Sequence, residues 1–125
     1  MSTLRVNTLQ NAAGTGQPAM SGAAKAWVNF NGTGTVAIRA SFNVTSITDN
    51  GTGDYTVNFT TAMADANYSI SGIASYNNVD TSSSSSGRYI SAPQGVNSTT
   101  QLRFTTVYAY NTVQDCAGVC IQIFR

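Results

Sequence analysis

KAWVNFNGTGTVAIRASFNVTSITDNGTGDYTVNF, residues 25–59, sets short runs of alternating apolar side chains between glycine turns. Ala26, Val28 and Phe30 fall on one side of an extended chain, as do Val36 with Ile38, and Tyr55 and Val57 with Phe59. Successive side chains of a strand point to opposite faces, so this period of two belongs to strands buried on one side. Asn31-Gly32-Thr33-Gly34 and Asp49-Asn50-Gly51-Thr52-Gly53-Asp54 separate the runs, and their glycine and Asx residues reach turn dihedrals at little cost. After Val44 the phase changes, because Ile47 falls out of register with Phe42 and Val44; the change predicts a bulge or a strand bend.

Carried along the chain, the same reading predicts strands near 25–30, 35–39, 41–47, 54–60, 67–75, 87–92, 101–110 and 118–124. The fold class is all-β: an antiparallel, jelly-roll-like β-sandwich over residues 25–125, preceded by an extended N-terminal arm and linker over residues 1–24. The expected inward set is Val28, Phe30, Val36, Ile38, Phe42, Val44, Tyr55, Val57, Phe59, Tyr68, Ile70, Leu102, Phe104, Tyr108, Val119, Ile121 and Ile123. Ala62 to Ala66 reads as one helical turn or a plain connection. In the arm, Leu4 and Val6 alternate with polar neighbours and Leu9 follows, ahead of a Gly/Ala/Ser-rich stretch from Asn11 to Ala24 with no hydrophobic period. That is the layout of a sticky segment on a tether, with an ordinary edge strand and loop of the same domain as the alternative.

Composition narrows the function classes. Charged residues make up 9% of the 125 and sum to +1, which leaves no electrostatic footprint for nucleic-acid backbone binding. No run reaches the apolar length of a membrane span, and MSTLRVNTLQ lacks the charged start and apolar core of a secretory signal. Without histidine, Ser-His-Asp and Cys-His nucleophile arrangements are ruled out, and the only carboxylates are Asp49, Asp54, Asp65, Asp80 and Asp115. Each stands in or beside an expected turn, where Asp serves the backbone. Hydrolysis by a carboxylate pair is therefore disfavoured, though two chains meeting could assemble one.

Asp49-X-Gly51-X-X-Asp54 is shaped like a calcium loop but is short of carboxylates and lacks a bidentate Glu, so a hairpin is expected there and no metal. Cys116 and Cys120 cannot close a zinc site within one chain; reduced thiols are expected, with a disulfide in an oxidising setting as the alternative. No cofactor is expected. Trp27, Tyr76, Tyr89, Tyr108 and Tyr110 have the flat faces that stack on sugar rings, yet strand aromatics more commonly serve core or interface. Ser82, Ser83, Ser84, Ser85 and Ser86, with Arg88 and Tyr89 after them, form an exposed loop, read either as inert spacing or as a receptor contact.

Residues 25–59 resemble a segment that recurs in tail fibre and other virion appendage proteins of tailed bacteriophages, especially phages of marine bacteria. The likeness lies in the order of Trp27, Phe30, Phe42 and the Thr-Asp-Asn-Gly-Thr-Gly-Asp-Tyr turn at 48–55. TLRVNTLQNAAG at 3–14 is similar to the opening of many phage fibre proteins. The resemblance covers most of residues 1–75. It implies a structural virion component, a homotrimeric fibre, spike or knob, assembled in the bacterial cytoplasm and docked to tail, collar or head proteins through Leu4, Val6 and Leu9. It also implies that any contact with a glycan or protein of the host surface lies after Ala74. The competing expectation is a free lectin-like β-sandwich, which would have no use for a tethered arm; a capsid decoration protein is a variant of the first.

Overall fold

A computed structural model describes residues 2, 22–76, 88–92, 97–108 and 111–125. Its nine strands are β1 (Ala24–Asn31), β2 (Ala37–Phe42), β3 (Val44–Gly51), β4 (Asp54–Phe59), β5 (Ser69–Ser75), β6 (Tyr89–Ser91), β7 (Gln101–Tyr108), β8 (Thr112–Val113) and β9 (Gly118–Phe124). No helix occurs among the described residues, so Ala62 to Ala66 is a plain connection. The strands form two antiparallel sheets, one ordered β2-β1-β9-β5 and the other β3-β4-β7-β6 with β8 paired to β7. The fold is a β-sandwich. Its jelly-roll trait is the nesting of pairs: the outermost strands β1 and β9 lie together, and β4 pairs β7 inside them.

The core forms where the alternating faces of the two sheets meet. Ala26, Val28 and Phe30 of β1 with Val119, Ile121 and Ile123 of β9 face Tyr55, Val57 and Phe59 of β4 and Leu102 and Phe104 of β7. Phe30, Tyr55 and Phe104 pack as a triad with ring centroids 5.2, 6.2 and 5.8 Å apart, the first two pairs edge to face. Each such pair contributes about 0.5–1.5 kcal/mol beyond the burial of its area. Phe59 and Tyr68 make a third edge-to-face pair near the other end of the sandwich.

Several expectations are corrected. The predicted strand 41–47 is two strands in different sheets. β2 ends at Phe42, Asn43 takes φ 56°, and β3 begins at Val44 on the opposite layer. Asn43 holds this corner through its side chain: Nδ2 donates to the carbonyls of Lys25 and Thr61, and Oδ1 accepts from the Thr61 N–H. The register shift between Val44 and Ser46 supplies the bend that the phase change predicted.

Ile38 and Phe42, expected inward, are 37% and 49% exposed, because β2 is an edge strand whose residues are all exposed. Val36 and Ile70 are only half-buried against the core. Tyr108 keeps the inward phase of Leu102 and Phe104 but lies at the open end of β7 and is half-buried. Met63, Val107 and Cys116 join the buried set from positions without period.

Candidate functional site

The two ends of the sandwich are built differently. At one end stand the start of β1, the Asn43 corner, Met63 and the C-terminal Arg125, which line a cleft of about 500 Å³ with Lys25 and Thr61. Arg125 pairs there with Asp65 in a bidentate contact, and the Asp65 carboxyl is held below its usual range by that hydrogen bond. At the far end, the β1–β2 and β3–β4 turns and the strand ends around β5, β6, β7 and β8 come together.

The far end is locked by a polar cluster between the sheets. The Tyr55 hydroxyl lies 2.7 Å from the Gly32 carbonyl and 2.9 Å from Asp115 Oδ1, so its single proton is shared between two acceptors. The same Asp115 oxygen accepts the Gly53 N–H at 2.7 Å, and the Gly53 carbonyl accepts the Thr106 N–H at 2.8 Å. Burial, and after it the neighbouring Asp115 carboxylate, push the Tyr55 phenol upward. Gly53 sits at φ +63°, and a Cβ there would stand 2.6 Å from the Gln114 nitrogen; only glycine fits both dihedral and space. Thr106, fully buried, donates to the Gln114 carbonyl at 2.5 Å. Cys116 is fully buried beside them, and burial raises its thiol pKa.

Above this lock the chain presents tyrosines around a guanidinium. Arg88 lies with its central carbon 4.7 Å from the Tyr76 ring centroid and 5.1 Å from that of Tyr108, both within cation–π range. Tyr76 follows the last residue of β5, Arg88 precedes β6, and Tyr108 ends β7, so three strand ends converge on the contact. The Tyr76 carbonyl is tied down by the Ala117 N–H at 3.2 Å. Beside it, the Tyr89 hydroxyl donates to Asn111 Oδ1 at 2.9 Å, with Asn111 in the left-handed region at φ 60°. Tyr76 and Tyr89 are 48% and 44% exposed. The exposed rings at this end, Tyr76 and Tyr89, are flat faces of the kind that stack on a polyhydroxylated ring. They do not make a nucleophile with its base.

Of the sequence-predicted residues, Arg88 meets Tyr76 and Tyr108 at this contact, whereas Tyr89, in register with Val107, stands at the same end on the opposite face of its sheet from Tyr108. Trp27 lies elsewhere, on the outer face of β1, paired in register with Phe42. Leu4, Val6 and Leu9 of the arm, Ser82, Ser83, Ser84, Ser85 and Ser86 of the loop, Tyr110 and Asp80 lie outside the described residues. Asn111 is the residue the sequence reading missed. A lone Asn in a turn carries no signal of its own.

The described carboxylates are occupied as structural acceptors. Asp49 Oδ1 accepts the Gly51 N–H at 3.0 Å; Asp54 makes a bidentate pair with Arg103 at 2.9 and 2.5 Å, which lowers its pKa. Asp49 and Asp54 thus serve their hairpin and its neighbouring strand. No group of three or more metal-ligating side chains occurs among the described residues. Cys116 and Cys120 are both free thiols, the second half-buried and facing outward opposite to Val119 and Ile121. No protein-family model, no curated protein and no solved structure matches this chain.

Proposed function

We propose that this chain is a non-enzymatic structural subunit of a tailed-bacteriophage virion, a fibre, spike or knob protein held to the particle by residues 1–24 and directed at the host surface by the opposite end of its sandwich. The observation that carries the reading is polarity. The chain enters the sandwich at the end of β1 where Ala24 pairs Phe124, whereas Tyr76, Arg88, Tyr89 and Tyr108 gather at the end where Ser75 pairs Gly118. Chain entry at the first end, after the apolar Leu4, Val6 and Leu9 in sequence, and exposed tyrosine rings at the second suit an adaptor between a particle and a glycan-bearing cell. The resemblance of most of residues 1–75 to phage appendage proteins supports the same assignment and an expected homotrimer.

Deletion of residues 1–21 tests the reading. The truncated sandwich should melt as the full chain does, and it should no longer join particles. Truncation that unfolds the domain, or a truncated chain that still incorporates, sinks the proposal. The tyrosine cluster also suits the second reading, a free lectin-like module. That reading gains if Tyr76→Ala and Tyr89→Ala abolish binding to host polysaccharide while deletion of the arm changes nothing.

A further inference from the structure

We propose that the outer face of the β2-β1-β9-β5 sheet, with the adjoining edge of β2, is an interface between copies of this chain. The two outer faces of the sandwich draw on the same polar residue pool and end up unlike. Over β3, β4 and β7 the outer face is a hydrogen-bonded polar lattice: Asn58 Nδ2 donates to Ser46 and Thr48 hydroxyls, Asn50 Nδ2 to Thr56, and Arg103 pairs with Asp54. A face of that kind is stable in water.

The outer face of the other sheet is mixed: Ser71 donates to Gln122 Oε1 at 3.4 Å, but Trp27, Phe42 and Ile73 stand exposed on it. Phe42, Trp27, Gln122 and Ser71 lie side by side in register across its four strands, and Ala40, Asn29, Cys120 and Ile73 form the next row. Ile73 is 68% exposed, the largest exposure among the exposed large apolar side chains described. Large apolar groups spread over a flat sheet face mark a surface that is covered in use.

Charge selects the occupant. Among the described residues this face carries no carboxylate, and its one central cation, Arg39, is turned onto the chain itself: it donates to Asn29 Oδ1 at 3.3 Å and to the carbonyls of Phe30 at 2.8 Å and Ala117 at 2.6 Å. A face with its charge internally satisfied suits a neutral partner surface, which a neighbouring copy supplies; about a three-fold axis the face of one copy meets the exposed β2 edge of the next. A net charge of +1 per chain adds almost no repulsion. Extent agrees too. Four strands at ~4.8 Å spacing and about seven residues at ~3.3 Å give a face of roughly 440 Å² in projection before side-chain relief. That projected area is about half of the ~800 Å² per partner of a standard interface, to which side-chain relief and the β2 edge add. β2 needs such cover: all its residues are exposed, and an edge strand leaves backbone donors and acceptors open to pairing.

This inference deepens the appendage reading by naming the contact surface and rests on it only for the expectation of an oligomer; incorporation of the truncated chain reads the former, and molecular mass reads the present one. Sedimentation of the full chain at micromolar concentration and at tenfold above it should show self-association. Ile73→Lys and Phe42→Glu, both at exposed positions, should weaken association at least tenfold with circular dichroism and melting unchanged, whereas Thr48→Lys on the polar lattice should leave the mass as in the parent. Alkylation of Cys120 should slow as the parent associates and stay fast in Ile73→Lys. A parent that is monomeric at both concentrations overturns the proposal, and so do variants that keep the parent mass. A monomeric parent whose Ile73→Lys variant fails to join particles would give the face to another virion protein instead.

Discussion

Asp115 does the work of several residues with one oxygen atom, and it is the group whose loss the fold should feel most for its size. Its Oδ1 accepts the Gly53 N–H and stands within hydrogen-bond distance of the Tyr55 hydroxyl, linking the β3–β4 turn to the core of the sandwich. Removing the carboxylate leaves the Gly53 N–H without its acceptor, at about 1–3 kcal/mol for a buried group left unsatisfied, whereas the Tyr55 hydroxyl keeps the Gly32 carbonyl. Asp115→Ala should therefore lower unfolding stability by about 1–3 kcal/mol, measured by urea titration. Asp115→Asn keeps an acceptor and should lose less. Equal losses for the two variants would mean that the charge, and not the pair of hydrogen bonds, carries the effect. None of this is readable from the sequence, where Asp115 is one more Asp beside a turn; its importance arises because Gly53 and Tyr55, some 60 residues earlier, are brought to it.

Strand positions were largely legible, whereas their assignment to sheets was not. The alternation of Ala26, Val28 and Phe30, and of Tyr55, Val57 and Phe59, predicts the buried faces of β1 and β4, because both strands have a neighbour on each side and a partner sheet beneath. The same alternation in β2 misleads: period two says which residues share a face, not whether anything covers that face, and Ile38 and Phe42 end up exposed on an edge strand. β8, with two residues, is too short to show any period. The tyrosines at the far end meet Arg88 only through tertiary structure, so no local pattern could join them. At Asn43 the phase change revealed a bend but not that the chain crosses layers there. The crossing rests on two separable features, the left-handed φ of 56° and the hydrogen bonds of the amide. Asn43→Gly keeps the dihedral and loses the bonds, whereas Asn43→Ala loses both and adds the left-handed penalty of about 1–2 kcal/mol. Thermal melts should rank parent above Gly above Ala, and an Ala variant as stable as the Gly variant would show that the corner relaxes to another backbone shape.

The whole sandwich has a pH range set at both ends by groups whose shifts have opposite origin. Asp54 and Asp65 have pKa values lowered by their arginine partners, so the unfolded chain takes up their protons first as pH falls. Their contribution is complete above the ordinary carboxylate value of about 4 and is lost as pH drops through the lower folded values. Cys116, Tyr55 and Tyr68 are raised by burial, so the unfolded chain releases their protons first; their contributions are complete below the ordinary values, about 8.5 for the thiol and about 10 for the phenols, and decline above them. Stability followed by urea titration should be level between these limits, and Arg103→Gln should blunt the acid decline without touching the alkaline one. An acid limb unchanged in that variant would remove Asp54 from the account.

The architecture also makes the two chain ends unequal. β9 lies between β1 and β5 in the centre of its sheet, and Val119, Ile121 and Ile123 put three of the most buried side chains into the core at the very end of the chain. Ala24 pairs Phe124, so the first and last strands close the structure on each other and no half of the sandwich has a sheet of its own. Burial of each such side chain stabilises by about 1.5–3 kcal/mol, and a domain of this size is held by only about 5–15 kcal/mol in total. Deleting residues 118–125 should therefore abolish the cooperative thermal transition altogether, whereas deleting residues 1–21 should leave it in place, since every core residue described lies between Ala26 and Ile123. Supplied as a separate peptide, residues 118–125 should restore the transition with a midpoint that rises with peptide concentration, as expected when folding is coupled to binding of the missing strand. A truncated chain that melts cooperatively without the peptide would mean that β1 and β5 can close on each other, and that the pairing of the chain ends is not what holds the sandwich together.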